Sequence, residues 1–296
     1  MSSNLPKIIV IFAPTASGKS DLAIQIAKKR GGEIVSADSR QIYRGMNIGT
    51  AKEPLDKKQT GFKPDKAVAN LYYGLVKKIP HYIIDIINPD QEYTLANFQN
   101  DANKVIKNII KRNKLPILVG GTGLYIQAIA QNLKIPKVKP NIKLRTKLES
   151  KSLKELAAIY QKLDPSGLKK IDINNKRRLI RAIEVTKITK IPYSKQVKKD
   201  KSKYDIEMLN IEIDRAQLYK IINQRVDDMI EGGLINEVKN LIKKYPKNSP
   251  SFSAIGYQEI IQYLDGKIEK EEAIELIKRN SRRYAKRQIT WMRREK

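Results

Sequence analysis

The sequence predicts an α/β fold, a parallel sheet flanked by helices, with a separate helical segment inserted into it. Three observations carry this prediction. Residues 8–30 run from an apolar strand through a glycine-bearing loop into an amphipathic helix. Residues 116–124 repeat that order, Pro116 to Val119 leading into Gly120-Gly121-Thr122-Gly123 and a helix that starts at Leu124. From Lys134 to about Lys190 helical patterns dominate, and an apolar alternation typical of a strand returns at residues 208–213.

The first unit is the most informative. Ile8 to Phe12 are five consecutive apolar residues, and Leu22, Ala23, Ile26 and Ala27 then recur at helical spacing. Between them lie Ala13, Pro14, Thr15, Ala16, Ser17, Gly18, Lys19 and Ser20, which match the phosphate-binding pattern [A/G]-x4-G-K-[S/T]. Such a loop wraps backbone N–H groups around anionic oxygens, and the helix N-terminus adds partial positive charge. Lys19 supplies a point charge, and Ser20 can hold a magnesium ion that bridges phosphate oxygens. The expected core is therefore P-loop NTPase-like. The pattern implies a phosphate or diphosphate ligand; whether that ligand is ATP is a separate question.

Gly31 and Gly32 end this helix, and residues 33–37 read as a second strand followed by Asp38-Ser39-Arg40-Gln41. In open α/β sheets, functional side chains gather beyond the carboxyl ends of strands, which places Asp38 in the same crevice as Ser20. Four consecutive polar residues fit an ordinary solvated turn equally well. Residues 52–80 are lysine-rich and read as a loop with a short helix around 67–77. A strand is expected at 81–86, beginning with His81, the only histidine, which is given no part in chemistry. Residues 94–111 form an amphipathic helix capped by Thr94. The glycines at 120–123 permit close backbone approach to a ligand, with Thr122 offering a hydroxyl; a tight strand-to-helix turn would use the same residues.

The inserted segment includes helices at 153–163 and 176–186, the latter carrying Arg177, Arg178 and Arg181. The expected division is 1–133 with 204–296 as the core, and 134–203 as the insertion. After the strand at 208–213 come helices at 216–231, containing Arg225, and at 234–244, and a short helix opened by residues 253–258. The last helix starts near Lys270 and carries Arg279, Arg283 and Arg287 at i, i+4 and i+8, with Arg282 and Lys286 beside them. Tyr284 and Trp291 interleave with this stripe.

Charge separates the possible function classes. The net charge is +28 over 296 residues. Residues 134–203 hold 22 Lys/Arg against 6 Asp/Glu, and residues 278–296 hold 9 against 1. Clustered charge of one sign is the footprint of a polyanion, and nucleic acid fits better than a membrane, since neither segment pairs its charge with an aromatic-apolar face. The absence of cysteine excludes disulfides and thiolate chemistry. No apolar run approaches the roughly 20 residues that span a bilayer. Lys7 is the only basic residue before the first strand and the phosphate-binding loop follows at once, which argues against a signal peptide, so a cytoplasmic location is expected.

Several stretches together resemble one family, the tRNA dimethylallyltransferases. They are residues 13–20, Ser36-Ala-Asp-Ser-Arg-Gln-Ile-Tyr-Arg-Gly-Met46, Ile48-Gly-Thr-Ala-Lys52, Gly120-Gly-Thr-Gly-Leu-Tyr125, Arg181-Ala-Ile-Glu-Val185, Ala254-Ile-Gly-Tyr257 and residues 279–291. The resemblance covers nearly the whole chain, in order. It implies transfer of a dimethylallyl group from dimethylallyl diphosphate to the exocyclic N6 amine of the adenosine 3′ of the anticodon, with Mg2+ and without ATP consumption. It further implies that Asp38 is the general base, that Thr122 assists at the reacting centre, and that residues 13–20 and Arg225 hold the diphosphate. Ser39 and Gln41 are implied to contact the adenine. The expected tRNA-contacting set is Asp38, Ser39, Arg40, Gln41, Arg145, Arg177, Arg178, Arg181, Arg279, Arg282, Arg283 and Arg287, with the insertion gripping the anticodon stem-loop. A monomer is expected. Ala13 stands where many members have glycine, and residues 55–78 are longer than in most, read as a surface loop. Two rival readings are an ATP-dependent small-molecule or nucleoside kinase and an RNA-binding module with a vestigial loop. Replacing Arg177 and Arg178 with glutamate is expected to weaken tRNA binding and to reduce the slope of log affinity against log salt; titrations at several salt concentrations check this, and an unchanged slope removes both residues from the interface.

Overall fold

The computed structural model describes residues 5–56, 63–64 and 72–294. Its strands are β1 (Lys7–Phe12), β2 (Gly32–Ser36), β3 (Lys63–Pro64), β4 (Tyr72–Val76), β5 (Ile79–Tyr82), β6 (Leu115–Gly120) and β7 (Asp205–Asn210). They form one sheet in the order β3-β4-β5-β2-β6-β1-β7. Strands β5, β2, β6, β1 and β7 run parallel, and β3 and β4 add an antiparallel edge. The predicted α/β architecture is therefore the observed one.

The central strands are buried on both faces, which their unbroken apolar runs require. Ile8, Val10 and Phe12 face one layer of helices, and Ile9 and Ile11 face the other. The second layer is α1 (Lys19–Arg30), which presents Ala23, Ile24 and Ala27. The larger layer begins with α2 (Leu95–Lys111) and α3 (Gly123–Ala130). In α2, Phe98, Ala102, Val105, Ile106 and Ile109 form one buried stripe, and Thr94 caps the helix reciprocally with Asn97.

The chain divides into two compact units, residues 1–130 with 203–296, and residues 131–202. The second holds α4 (Ile142–Glu149), α5 (Leu153–Leu163), α6 (Pro165–Leu168), α7 (Lys176–Thr189) and α8 (Tyr193–Gln196) around Leu148, Leu156, Tyr160, Leu179, Ile180 and Ile183. The first unit resumes with β7 and then α9 (Arg215–Glu231), α10 (Leu234–Lys244), a 3-10 turn (Pro250–Ser253), α11 (Tyr257–Leu264) and α12 (Lys270–Arg294).

Three local expectations change. The helix around 67–77 is not present at its carboxyl end, because residues 72–76 are β4; residues 65–71 lie outside the described residues. Strand β4 turns at Lys77 and Lys78, both at positive φ, and pairs antiparallel with β5. The Asp56 carboxylate stabilises that turn by accepting from both lysine N–H groups at 2.8 and 2.9 Å. The carboxyl end of the presumed surface loop is thus a sheet edge. The strand expected at 81–86 stops at Tyr82, since Ile83 and Asp85 adopt positive φ. The chain instead bonds to the loop after β2, through Asp85 N to Gln41 O at 3.0 Å and Ile86 N to Ile42 O at 2.8 Å. The strand expected at 208–213 is shifted toward the N-terminus, to 205–210, because its register is set by pairing with β1.

Within the inserted unit Glu184 is fully buried and charged. It accepts from Asn141 N at 2.7 Å, from Arg145 Nε and Nη2 at 2.8 and 2.9 Å, and from Arg181 Nη1 at 2.6 Å. Burial alone would raise its pKa, but these donors outweigh burial and hold it below the ordinary glutamate value. Its contribution to stability is therefore present above the unfolded-state pKa and lost as pH falls through the lowered folded-state value. Glu184→Ala is expected to destabilise the inserted unit by roughly 3 kcal/mol, as breaking a buried ion pair does. Thermal melts of the full chain check this, and the gap between wild type and variant should shrink below pH 4.

Candidate active site

Three neighbouring strands, β2, β6 and β1, end at the same edge of the sheet, and each is followed by a segment singled out in the sequence. Residues 13–20 follow β1, Asp38 to Gln41 follow β2, and residues 121–123 follow β6. Close approach depends on Gly120, where a Cβ would lie 2.2 Å from Ala37 O. Ala37 N donates to Val119 O at 2.7 Å, and Thr122 N donates to Ala37 O at 3.2 Å. Thr122 Oγ1 accepts from Ser39 N at 3.1 Å and donates to Ser39 Oγ at 3.4 Å. Thr122 thus reaches the Asp38 segment.

The loop after β1 is built to receive an anion. Gly18 adopts a left-handed conformation and starts α1 without any side-chain cap, leaving first-turn N–H groups for a ligand. Ser17 Oγ is buried without a hydrogen-bond partner. Lys19 Nζ donates to Pro14 O at 3.3 Å. Burial lowers the Lys19 pKa to about 8, against the pull of Asp38 and with the help of the Arg225 charge. Burial also lowers the Arg225 guanidinium. Two poorly hydrated cations side by side favour an anionic occupant.

A cleft of about 370 Å³ opens at this edge, lined by Thr15, Asp38, Arg40, Arg225, Tyr284 and Arg287 among others. A smaller cavity of about 60 Å³ continues it, lined by Lys19, Ser20, Gln41, Glu53 and His81. Thr15, Asp38 and Arg225 line both. The Asp38 carboxylate accepts from Arg40 N at 2.8 Å and from Gln41 N at 3.4 Å, which fixes its orientation. Gln41 Nε2 donates to Thr50 O at 3.2 Å and Ala51 O at 3.4 Å. Arg40 reaches Pro250 O and Ser253 Oγ. His81 is buried against Ile79 O, and burial lowers its pKa.

Among the described residues no group of three His, Cys, Asp or Glu side chains is placed to hold a metal. A divalent ion here would draw on Ser20, with phosphate oxygens and water completing its shell, the usual habit of Mg2+. The donor set at the mouth of α1 fits that arrangement.

The basic residues separate into two kinds. Arg177, Arg178, Arg279, Arg283 and Arg287 are exposed. Arg145 and Arg181 are engaged with Glu184, and Arg282 Nη1 donates to Asn223 Oδ1 at 2.5 Å. Arg287 lies over the Tyr284 ring, 5.6 Å from its centroid.

Several contributors escaped the sequence reading. Tyr284 lines the cleft, its OH donates to Gly121 O at 3.4 Å, and burial pushes its pKa up to about 12. Gln288 is buried between the loops after β1 and β6. Glu237 accepts from Asn47 N, Ile48 N and Gly49 N at 3.0, 2.8 and 3.2 Å, and from Tyr257 OH at 2.6 Å. It thereby holds the segment that offers its Thr50 and Ala51 carbonyls to Gln41. Lys52 pairs with Asp85 and with Tyr43 O beneath the same segment. The only available signal was positional, an acid at residue 237 on an amphipathic helix, and that does not tell a solvated face from a buried partner.

The sequence matches the family described as IPP transferase over residues 41–295, and that described as isopentenyl transferase over residues 6–63. The chain belongs to the IPP transferase family. It is 45% identical over 296 residues to the tRNA dimethylallyltransferase of Halothermothrix orenii, covering 97% of this chain and 85% of that one. The corresponding protein of Carboxydothermus hydrogenoformans is 45% identical over 297 residues, at 98% and 89% coverage. Among solved structures, the tRNA isopentenylpyrophosphate transferase of Bacillus halodurans is 39% identical, with a TM-score of 0.67 and coverage of 97% and 86%. A eukaryotic dimethylallyltransferase acting on tRNA is 30% identical, with a TM-score of 0.79 and coverage of 97% and 70%. Within the family frame, Glu237 is a support for the cleft wall. Glu237→Ala is expected to speed amide exchange at Asn47, Ile48 and Gly49 by at least tenfold while exchange in β1 and β6 is unchanged, since three N–H bonds lose their acceptor; hydrogen exchange with mass spectrometry checks it.

Proposed function

We propose that this chain prenylates tRNA, transferring a dimethylallyl group from dimethylallyl diphosphate to the exocyclic N6 amine of the adenosine 3′-adjacent to the anticodon and releasing diphosphate. The single observation that carries the reading is the convergence of Lys19, Ser20, Arg225 and the Asp38 carboxylate on one cleft. Membership of the family supports it.

The chemistry follows from what those groups can do. An adenine exocyclic amine is a weak nucleophile because its lone pair is delocalised into the ring. Its attack on the allylic carbon forms a C–N bond as the C–O bond to diphosphate breaks. The departing oxygens gain charge, which Lys19, Arg225 and the N-terminus of α1 stabilise. Ser17 Oγ offers a further donor. A magnesium ion held through Ser20 would add positive charge at the leaving group. The amine must lose a proton, and Asp38 is the base in this reading; its backbone hydrogen bonds leave a carboxylate oxygen able to accept. Gln41 carries an amide of the kind that can pair with an adenine edge, and engaging the base would exchange its present bonds to the Thr50 and Ala51 carbonyls. Thr122 orients the Asp38 segment through Ser39.

The RNA partner is read through the base taken out of its stack and through phosphates. Arg279, Arg283 and Arg287 form an exposed stripe on the helix that also lines the cleft, and Arg177 and Arg178 are exposed on the inserted unit.

Incubation with labelled dimethylallyl diphosphate, Mg2+ and bulk tRNA, followed by nucleoside analysis, tests the proposal. Label should appear in N6-modified adenosine with release of diphosphate and no ATP consumed. Asp38→Ala is expected to slow single-turnover transfer by about 10²–10⁴-fold, the usual worth of a general base, with tRNA affinity retained. Transfer at the wild-type rate would remove Asp38 from that role.

A further inference from the structure

Gln288 is a polar side chain buried in helix α12, far in sequence from both loops it touches. Its Oε1 accepts from Thr15 N at 2.9 Å, and its Nε2 donates to Gly121 O at 2.8 Å. The partners settle which end is which: an N–H needs an acceptor and a carbonyl needs a donor. A carboxamide supplies both at once, on two separate atoms. A carboxylate would meet the Gly121 carbonyl with negative charge, and a methionine would satisfy neither partner.

The surroundings are shaped to hold this bridge. A Cβ on Gly121 would lie 2.2 Å from Gln288 Nε2, so the glycine leaves room for the amide. Directly after the other partner, Thr15, Ala16 is held at a positive φ of 64° and buried against Leu218, Ile222 and Ala285. A non-glycine residue in that conformation costs about 1–3 kcal/mol and persists only where its surroundings hold it. Helices α9 and α12 therefore brace the loop at two adjacent positions, Thr15 through a hydrogen bond and Ala16 through packing. Trp291, one turn beyond Gln288, packs edge-on to Phe12 and against Gly123.

We propose that Gln288 is a positioning residue for the transfer: its carboxamide locks the loop holding the leaving diphosphate to the loop carrying Thr122. This rests on the prenyl-transfer reading above. The β1–β6 pairing ends at Phe12 and Gly120, and Gln288 ties the two loops together beyond it, at Thr15 and Gly121. A misplacement of about 1 Å between reacting groups costs about 10²-fold in rate.

The test compares wild type with Gln288→Met, which conserves volume, and Gln288→Glu, which keeps the acceptor and loses the donor. For Gln288→Met, kcat/KM for dimethylallyl diphosphate is expected to fall about 10²-fold, with kcat lowered and the donor KM raised, while the KM for tRNA stays within twofold. Gln288→Glu is expected to be no better than Gln288→Met, because its charge faces the Gly121 carbonyl. A purely structural role would lower the melting temperature and the active fraction, leaving both KM values unchanged in the folded fraction. If Gln288→Met fails to fold, Gly121→Ala breaks the same contact from the other side and should show the same split. Wild-type kcat and donor KM in a folded variant would overturn the proposal. Binding of inorganic diphosphate by calorimetry gives a separate readout: a wild type that binds diphosphate yet transfers no label would sink the prenyl-transfer reading alone, and weakened diphosphate binding by Gln288→Met would still support the bridge.

Discussion

The site depends on one close contact, that between Gly120 and Ala37. Strand β6 lies between β1 and β2, so the loops after all three strands can share one cleft only if their backbones converge at the sheet edge. Gly120 permits this because any side chain there would overlap the Ala37 carbonyl. The hydrogen bonds Ala37 N to Val119 O and Thr122 N to Ala37 O then extend the β2–β6 pairing past the end of the strands. Asp38 and Thr122 are the first side chains beyond that extension. Their meeting is a consequence of sheet order and of one missing Cβ.

Charge is handled differently in each part of the molecule. In the cleft, Lys19 and Arg225 lose hydration without gaining a carboxylate ion-pair partner at salt-bridge distance among the described residues, which leaves them poised for an anion. In the inserted unit, Arg145 and Arg181 are matched by Glu184, which organises α4 against α7. Arg177 and Arg178 sit on the exposed face of the same helix. Five arginines that look alike in sequence thus divide into structural, cleft-lining and exposed groups, and only the exposed ones retain the solvated charge that salt-dependent RNA binding requires.

Helix α12 joins the two halves of the chemistry. Its outward face carries the arginine stripe, and its inward face carries Tyr284, Ala285, Gln288 and Trp291 against the loops of the site. Helix α9 does the same with Arg225 in the cleft and Leu218 and Ile222 under Ala16. The C-terminal helices are therefore part of the cleft wall.

The sequence by itself determined the loop at residues 13–20, the α/β class, the extent of the insertion to within a few residues, and the concentration of basic charge. Each of these is local: a pattern of adjacent residues, a periodicity, or a composition. The family resemblance added the roles proposed for Asp38, Thr122 and Arg225. Tertiary structure alone decided that β6 separates β1 from β2, that residues 72–76 form a strand beside the sheet edge, that Glu184 and Gln288 are buried partners, and that Glu237 is a half-buried one. A buried glutamate or glutamine on an amphipathic helix reads as a surface residue until its partner is known. Apart from Arg181 and Tyr257, those partners lie between 39 and 273 residues away along the chain, beyond the reach of any local pattern.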